Sequence, residues 1–177
     1  MTRYVALLRG INVGTAKRVA MADLRALLAD LGFNDVRTLL NSGNAVFTAG
    51  AGEHAGAITA AVRERLGLDV GCVVRTGDEL RSVIDGHPLA HLADNGSRMM
   101  VFFLSAAPDP ALLAAHDPIA LDPEHARLGD RVIYQWCPDG LLAAPPVGTF
   151  AEKRLGVAVT GRNWNTVTKL AGLLGDG

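Results

Sequence analysis

Residues 4–14 read YVALLRGINVG, and both the fold and a candidate site follow from this stretch. The five apolar residues at its start predict a buried strand, and the glycines after them predict a tight loop. Arg9 therefore stands where the strand meets solvent, and Asn12 and Lys17 follow in the loop. These polar side chains at one strand end indicate a place that holds an anion.

The spacing of apolar residues predicts the elements of the first half of the chain. After the opening strand come a helix through 24–31, strands at 36–40 and 45–48, a helix over 53–66 and a strand at 70–74. The first helix is expected to end at Gly32, with Phe33 making the apolar contact of a glycine C-cap. The order β-α-β-β-α-β is that of a ferredoxin-like unit.

The same order of elements returns in the second half. A capping box at 76–79 predicts a linker helix. It is followed by a strand at 99–104, a short helix at 108–116, a hairpin of 126–128 with 132–136, a helix at 150–155, a short strand at 157–160 and a last helix over 163–174. The sequence therefore predicts an α+β protein with duplicated ferredoxin-like (βαββαβ) subdomains, antiparallel sheets and a C-terminal helix.

These elements predict four segments along the chain. They are an N-terminal ferredoxin-like subdomain (1–75), a linker helix and loop (76–97), a second ferredoxin-like subdomain (98–160) and the C-terminal helix (161–177). The evidence for duplication is the order of elements and a Leu-Gly-apolar helix end that occurs three times, not sequence identity between the halves.

Composition narrows the class of protein. The 177 residues include 17 basic and 18 acidic side chains, and this net charge of −1 disfavours non-specific nucleic-acid binding. Cys72 and Cys137 have no partner at metal-ligand or redox-motif spacing. The opening apolar run is too short for a signal peptide, and no run reaches the 18 apolar residues that a membrane span needs. We therefore expect a cytoplasmic protein with reduced thiols.

The predicted topology brings two polar segments to one edge of the first sheet. Strands one and two run parallel with strand three between them, so the first βα loop and the turn after strand two share that edge. The candidate ligand-binding residues there are Arg9, Asn12, Lys17, Asn41, Ser42 and Asn44, with Arg18 beside them. Glycines 10, 14 and 43 and a helix beginning at Met21 would add backbone N–H groups that suit a phosphate or carboxylate.

A structural interpretation of the same residues stays open. The glycines are also what loop dihedral angles require, Asn41 and Asn44 are ordinary hairpin residues, and Arg9 could pair with a nearby acid. The Gly-x₃-Gly spacing matches neither a P-loop nor a dinucleotide fingerprint.

The last helix is predicted to carry a second polar stripe. Arg162, Asn165, Thr166 and Lys169 follow the spacing i, i+3, i+4 and i+7, whereas Trp164, Val167, Leu170, Ala171 and Leu174 form the other, core-facing side. A solvated helix face is the ordinary explanation. The alternative adds Arg162, Asn165 and Lys169 to the ligand-binding set.

Four motifs together resemble the bacterial family catalogued as domain of unknown function 1697. They are residues 4–14, residues 24–33, SGNAVF at 42–47 and RNWNTV at 162–167. The resemblance extends over essentially the whole chain and implies a small α+β protein with duplicated ferredoxin-like halves. It implies no activity, cofactor or catalytic residue. The chain departs from the family pattern at Thr15-Ala16 and at Asn41, where the family often has glutamine.

Residues that carry out chemistry are sparse in this sequence. The five histidines are scattered, and Pro88 separates His87 from His91, which disfavours a metal pair. Ser42 lacks the frame of a nucleophile elbow, and no carboxylate pair accompanies the polar edge. The sequence therefore predicts no metal and no cofactor, and it favours binding over catalysis.

Three hypotheses about function follow. The first is a protein that binds a phosphate-bearing or other anionic small molecule or nucleotide. The second is binding of RNA or single-stranded nucleic acid, for which Tyr4 and Phe47 are the available stacking aromatics. The third is an enzyme of unknown class on a phosphorylated or carboxylated substrate. The sequence does not determine the oligomeric state.

Overall fold

The structure is a computed structural model that describes residues 1–12, 15 and 17–175. The chain divides into two compact units, Met1–Arg81 with Lys169–Gly177, and Ser82–Thr168. The described part contains six α-helices and two four-stranded antiparallel sheets. Within that part, every helix is too short or too polar to cross a membrane. The segment boundaries predicted at 75, 97 and 160 stay a prediction.

The first unit contains the sheet that carries the candidate site. Its elements are β1 (Thr2–Arg9), α1 (Met21–Asp30), β2 (Asn34–Leu39), β3 (Asn44–Ala49), α2 (Ala55–Leu66) and β4 (Gly71–Thr76). The strand order is β2-β3-β1-β4. Because β3 is antiparallel to both β1 and β2, these two strands point the same way, and their carboxyl ends lie at one edge.

One apolar core holds α1 and α2 against the first sheet. β1 is buried from Tyr4 to Leu8, as its unbroken apolar run predicts. Leu24 and Leu28 of α1 and Ile58 of α2 are fully buried in the same cluster as the helix-facing side chains of β1 and β3. The spacing of apolar residues in the two helices is therefore explained by this shared core.

The predicted glycine end of α1 is confirmed. Gly32 has φ +90°, and its N–H donates to the carbonyl of Ala29 at 3.0 Å, while the N–H of Phe33 donates to that of Leu28 at 3.3 Å. The Phe33 ring then stacks on Phe47 at 4.3 Å between centroids. The pair of hydrogen bonds is that of the Schellman motif, and the ring contact with Phe47 joins this helix end to β3.

The second unit contains the other sheet. After α3 (Gly77–Asp85) come β5 (Met99–Leu104), α4 (Pro110–Ala115), β6 (Ala126–Gly129), β7 (Val132–Trp136), α5 (Val147–Leu155), β8 (Val159–Asn163) and α6 (Trp164–Leu174). Short 3-10 turns cover Pro118–Leu121 and Leu141–Ala143. The strand order is β6-β7-β5-β8. At the start of α3, the predicted cap is present, because Thr76 Oγ1 accepts the N–H of Glu79 at 3.1 Å.

The predicted polar stripe on the last helix is wrong in two places. Pairing with β5 continues as far as Asn163, so Arg162 lies on β8 opposite Val101 and not on a helix. The side chain of Asn163 then accepts the N–H of Thr166 at 3.0 Å, and an asparagine in this position ends the strand and begins α6. Thr166 is only 7% exposed. Of the four residues, Asn165 and Lys169 are on the exposed part of the helix.

Candidate functional site

Two loops meet at the edge of the first sheet where β1 and β2 end. The Asn12 side chain donates from Nδ2 to the carbonyl of Asn41 at 2.6 Å. The N–H of Leu8 donates to the carbonyl of Gly43 at 2.8 Å. The first bond joins the first βα loop to the β2–β3 turn, and the second joins β1 to the same turn. We call the surface formed by the described residues among 9–12, 17–20 and 40–43 the polar edge.

The side chain of Asn12 holds segments of the polar edge together by hydrogen bonds. Its Nδ2 donates to Val19 O at 2.9 Å as well as to Asn41, and its Oδ1 accepts the N–H of Val19 at 2.9 Å. Its own N–H donates to Lys17 O at 3.0 Å. Both amide hydrogens are thus used inside the protein, and a φ of +53° suits asparagine better than most residues. Asn12 therefore shapes the loop, and a direct ligand contact by it stays a prediction.

Asn44 supports the β2–β3 turn from within. It is 0% exposed, and its Nδ2 donates to Leu39 O at 2.9 Å and to Ser42 Oγ at 2.8 Å. Asn44 is therefore placed as an ordinary hairpin residue would be. Its neighbours Ser42 and Asn41, by contrast, are exposed at the turn. The part of Asn44 in ligand binding stays a prediction.

Gly43 is required by close packing and by its backbone angle. Its φ is +92°, and a Cβ there would lie 2.8 Å from Ile11 Cδ1 and 2.9 Å from Leu8 Cβ. Gly10 also has a positive φ of +77°, but the space beside it is open. Gly14, the third glycine of the predicted anion-holding set, lies outside the described residues.

Three cationic residues, Arg9, Lys17 and Arg18, are exposed at the polar edge. Lys17 has φ +50°, and its Nζ donates to the carbonyl of Asp69, beyond the end of α2, at 2.8 Å. Arg9 closes β1 opposite Gly71, where an added Cβ would make an ordinary van der Waals contact with Arg9 Cβ at 3.4 Å. The edge therefore presents a concentration of positive charge on a chain whose net charge is −1.

The N-terminus of α1 follows two of these cations, Lys17 and Arg18, within four residues. The helix begins at Met21, and its N-cap, Ala20, provides no side-chain hydrogen bond. N–H groups of a first turn without such a cap attract anions, which the helix dipole also favours. Asp23 is the acidic residue of that turn. The condition on which the sequence counted these N–H groups, a helix that begins at Met21, is met.

Three residues of the predicted ligand-binding set lie outside the polar edge. Arg162 and Asn165 belong to the second unit, and the Arg162 guanidinium donates to the carbonyl of Gly161 at 2.9 Å. Lys169 belongs to the first unit and is exposed on α6. Their part in ligand binding stays a prediction.

A histidine stack in the second unit had no clear sequence signal. The His87 ring lies nearly parallel to Tyr134 at 5.9 Å and tilted against Trp164 at 4.3 Å, both between centroids. Burial, and then the charge of His91, lowers the pKa of His87, so the imidazole is neutral near pH 7. The Tyr134 hydroxyl donates to Val83 O at 2.6 Å, and burial raises the pKa of Tyr134.

Reactive side chains do not gather at the polar edge. Among the described residues, no three His, Cys, Asp or Glu side chains form a group that could hold a metal ion. Cys137 is fully buried, and burial together with the charge of Asp122 raises the pKa of its thiol to about 11. That thiol is protonated at neutral pH and is a poor nucleophile.

The two aromatics that a nucleic-acid-binding sheet would need are inside the core. Tyr4 and Phe47 stack on each other at 5.4 Å, and the His54 ring packs edge-on against both. Each is at most 5% exposed. Base stacking requires an aromatic face that is open to solvent, so this pair does not provide one.

Comparison with known proteins identifies the family. A family model described as "Protein of unknown function (DUF1697)" matches residues 1–134, so the chain belongs to that family, as the motifs predict. Of the four motifs, the one at 162–167 lies outside the matched residues. The conserved bacterial protein SP0830 from Streptococcus pneumoniae has a similar structure, with a TM-score of 0.70 and 23% identity over 98% of each chain. At that identity the likeness shows the fold alone. No curated protein matches the chain.

Proposed function

For this member of a family without an assigned activity, we propose that the polar edge binds a phosphate-bearing or other anionic small molecule or nucleotide. Arg9 and Lys17 supply the charge, and Asn41 and Ser42 supply exposed polar groups from the neighbouring turn. The observation that carries the proposal is the Asn12–Asn41 hydrogen bond of 2.6 Å, because it holds the two loops side by side.

Charge and backbone geometry support an anion over other ligands. Three exposed cations lie on the polar edge, two of them within four residues of the start of α1 in sequence, and the first turn of α1 has no side-chain cap. Guanidinium and ammonium groups beside a helix N-terminus form the kind of surface that phosphate groups occupy in many proteins. Asn12 and Asn44 already use their amide hydrogens within the protein, so the ligand-binding set is centred on cations more than the sequence predicts.

A second proposal concerns the fold of the two units. We propose that both units are ferredoxin-like repeats, and two features support this: each has the order β-α-β-β-α-β, and the strand orders β2-β3-β1-β4 and β6-β7-β5-β8 correspond position by position. We also propose a cytoplasmic location, which the two free cysteines support.

A thermal-shift titration with inorganic phosphate, pyrophosphate and ATP tests the binding proposal. A ligand at 100 times its dissociation constant should stabilise the protein by about 2.7 kcal/mol. We expect the shift to fall sharply in Arg9→Ala and Lys17→Ala. It should persist in Arg154→Ala, which removes one exposed positive charge from α5 in the second unit. Equal shifts in all three variants, or no shift with any of the three anions, would overturn the proposal.

The same assay addresses the other predicted contacts and the alternative functions. Lys169→Ala, Arg162→Ala and Asn165→Ala should reduce the shift only if these residues reach the ligand. Binding of poly(U) that weakens steeply with salt would instead favour single-stranded nucleic acid. Turnover of a bound phosphorylated compound would favour an enzyme.

A further inference from the structure

A polar network lies inside the second unit and uses none of the residues of the proposed ligand site. The side chain of Gln135 on β7 donates from Nε2 to Asp122 Oδ2 at 3.0 Å and to the carbonyl of Pro145 at 2.9 Å. Asp122 Oδ1 faces His125 Nδ1 at 3.1 Å. Gln135 is 0% exposed, and Asp122 is 7% exposed. The network therefore joins β7, the segment before β6 and the segment before α5.

The orientation of the Gln135 amide follows from its partners. A carboxylate oxygen and a backbone carbonyl both accept hydrogen bonds, so the group that faces them must be the NH₂. Turning the amide over would place Oε1 against two other oxygens and remove both bonds. With the NH₂ directed at Asp122 and Pro145, Oε1 has no hydrogen-bond partner among the described residues. Buried side-chain oxygens in folded proteins nearly always have such a partner.

We propose that Gln135 Oε1 is a binding site for one internal water molecule. The guest must donate a hydrogen bond because Oε1 can only accept one. It must be small because Gln135 is completely buried, and an anion is excluded because both Oε1 and the nearby Asp122 carboxylate would repel it. Water satisfies these conditions and is the usual partner of a buried polar atom of this kind.

A crystal structure that orders internal water tests the site directly in the unmodified protein. We expect a water oxygen about 2.7–3.2 Å from Gln135 Oε1, the ordinary hydrogen-bond distance. An Oε1 that accepts from a protein N–H or O–H, or an Oε1 with no water within that distance, would overturn the proposal.

Oxygen-17 relaxation dispersion of the solvent counts long-lived internal waters in solution and provides a second measurement. Gln135→Met replaces the amide by an apolar chain of similar length and should hold one long-lived water fewer than the unmodified protein. Leu142→Met changes a fully exposed side chain in the same unit and should hold the same number. Gln135→Met also removes the Nε2 donor from Asp122 Oδ2 and Pro145 O, so a crystal structure of the variant is needed to show whether a new water bridges those two oxygens. An equal count without such a bridging water contradicts the site.

Discussion

The Asn12 side chain and the Asn41 carbonyl are 29 residues apart in sequence and 2.6 Å apart in space. This hydrogen bond links the βα loop to the β2–β3 turn, and Asn12 makes two further side-chain bonds to Val19. One amide therefore joins three segments of the polar edge, and its contribution to stability can be measured by changing it.

Asn12→Ala should lower the free energy of unfolding by about 2 kcal/mol, because three side-chain hydrogen bonds are lost, two of which are partly buried. Part of that loss comes from the backbone, since alanine is strained at a φ of +53°. Asn12→Gly removes the same side chain without this strain and should be about 1 kcal/mol more stable than Asn12→Ala. Urea unfolding measures both values. An unchanged free energy of unfolding in Asn12→Ala would show that these hydrogen bonds contribute nothing to stability.

Gly43→Ala should lower the free energy of unfolding by about 3 kcal/mol, because strain at φ +92° adds to overpacking against Leu8 and Ile11. Gly10→Ala is the matched control: its φ is also positive, but nothing lies within 4 Å of the added Cβ. It should cost only about 1 kcal/mol. Chemical denaturation of the two variants side by side checks the difference, and equal losses would rule out the close approach.

Cys137 should resist thiol reagents in the folded protein. Its pKa is raised to about 11 and its side chain is fully buried, whereas Cys72 is half-buried. A coloured disulfide reagent at pH 8 should label Cys137 only after unfolding, and a Cys72→Ala variant isolates this signal. Rapid labelling of the folded variant would contradict the burial.

The same thiol makes stability depend on pH in the alkaline range. Because its pKa is higher in the folded state than the ordinary value of 9.0, the unfolded chain loses the proton first. The contribution of Cys137 is therefore present below pH 9 and is lost as pH rises toward about 11. Cys137→Ala should remove this part of the slope, measured by urea unfolding between these two pH values.

His87 should make the stability of the protein depend on pH in the acidic range. Burial and the His91 charge depress its pKa below 6.5, so the unfolded chain takes up a proton before the folded protein does. The stability associated with neutral His87 is present above pH 6.5 and declines as pH falls below that value. An NMR titration should place the His87 transition below pH 6.5, and His87→Phe should flatten the stability profile there. A transition above pH 6.5 would contradict the buried stack.

Helix ends were predictable from sequence because they depend on neighbouring residues alone. The Leu-Gly-apolar pattern occurs at Gly32, Gly67 and Gly156, and all three glycines have a positive φ. Burial of β1 was predictable for the same reason, since five consecutive apolar residues leave no face for solvent.

The roles of the polar residues could not be predicted in this way. Asn44 is ordinary in a hairpin sequence, and only the folded chain shows that it is fully buried with both amide hydrogens used. Arg162 was assigned to a helix because a period of 3.6 fits residues 162–169, but pairing with Val101, 61 residues earlier, keeps it in a strand. Such pairings outweigh local preference.

The sequence by itself determined where strands and helices begin and end, to within a few residues, and where its cations cluster along the chain. Only the tertiary structure decided which polar groups face solvent and which are used inside the protein. The physical reason is that backbone preference acts over three or four residues, whereas a hydrogen bond such as that from Asn12 to Asn41 exists only after distant segments have been packed together.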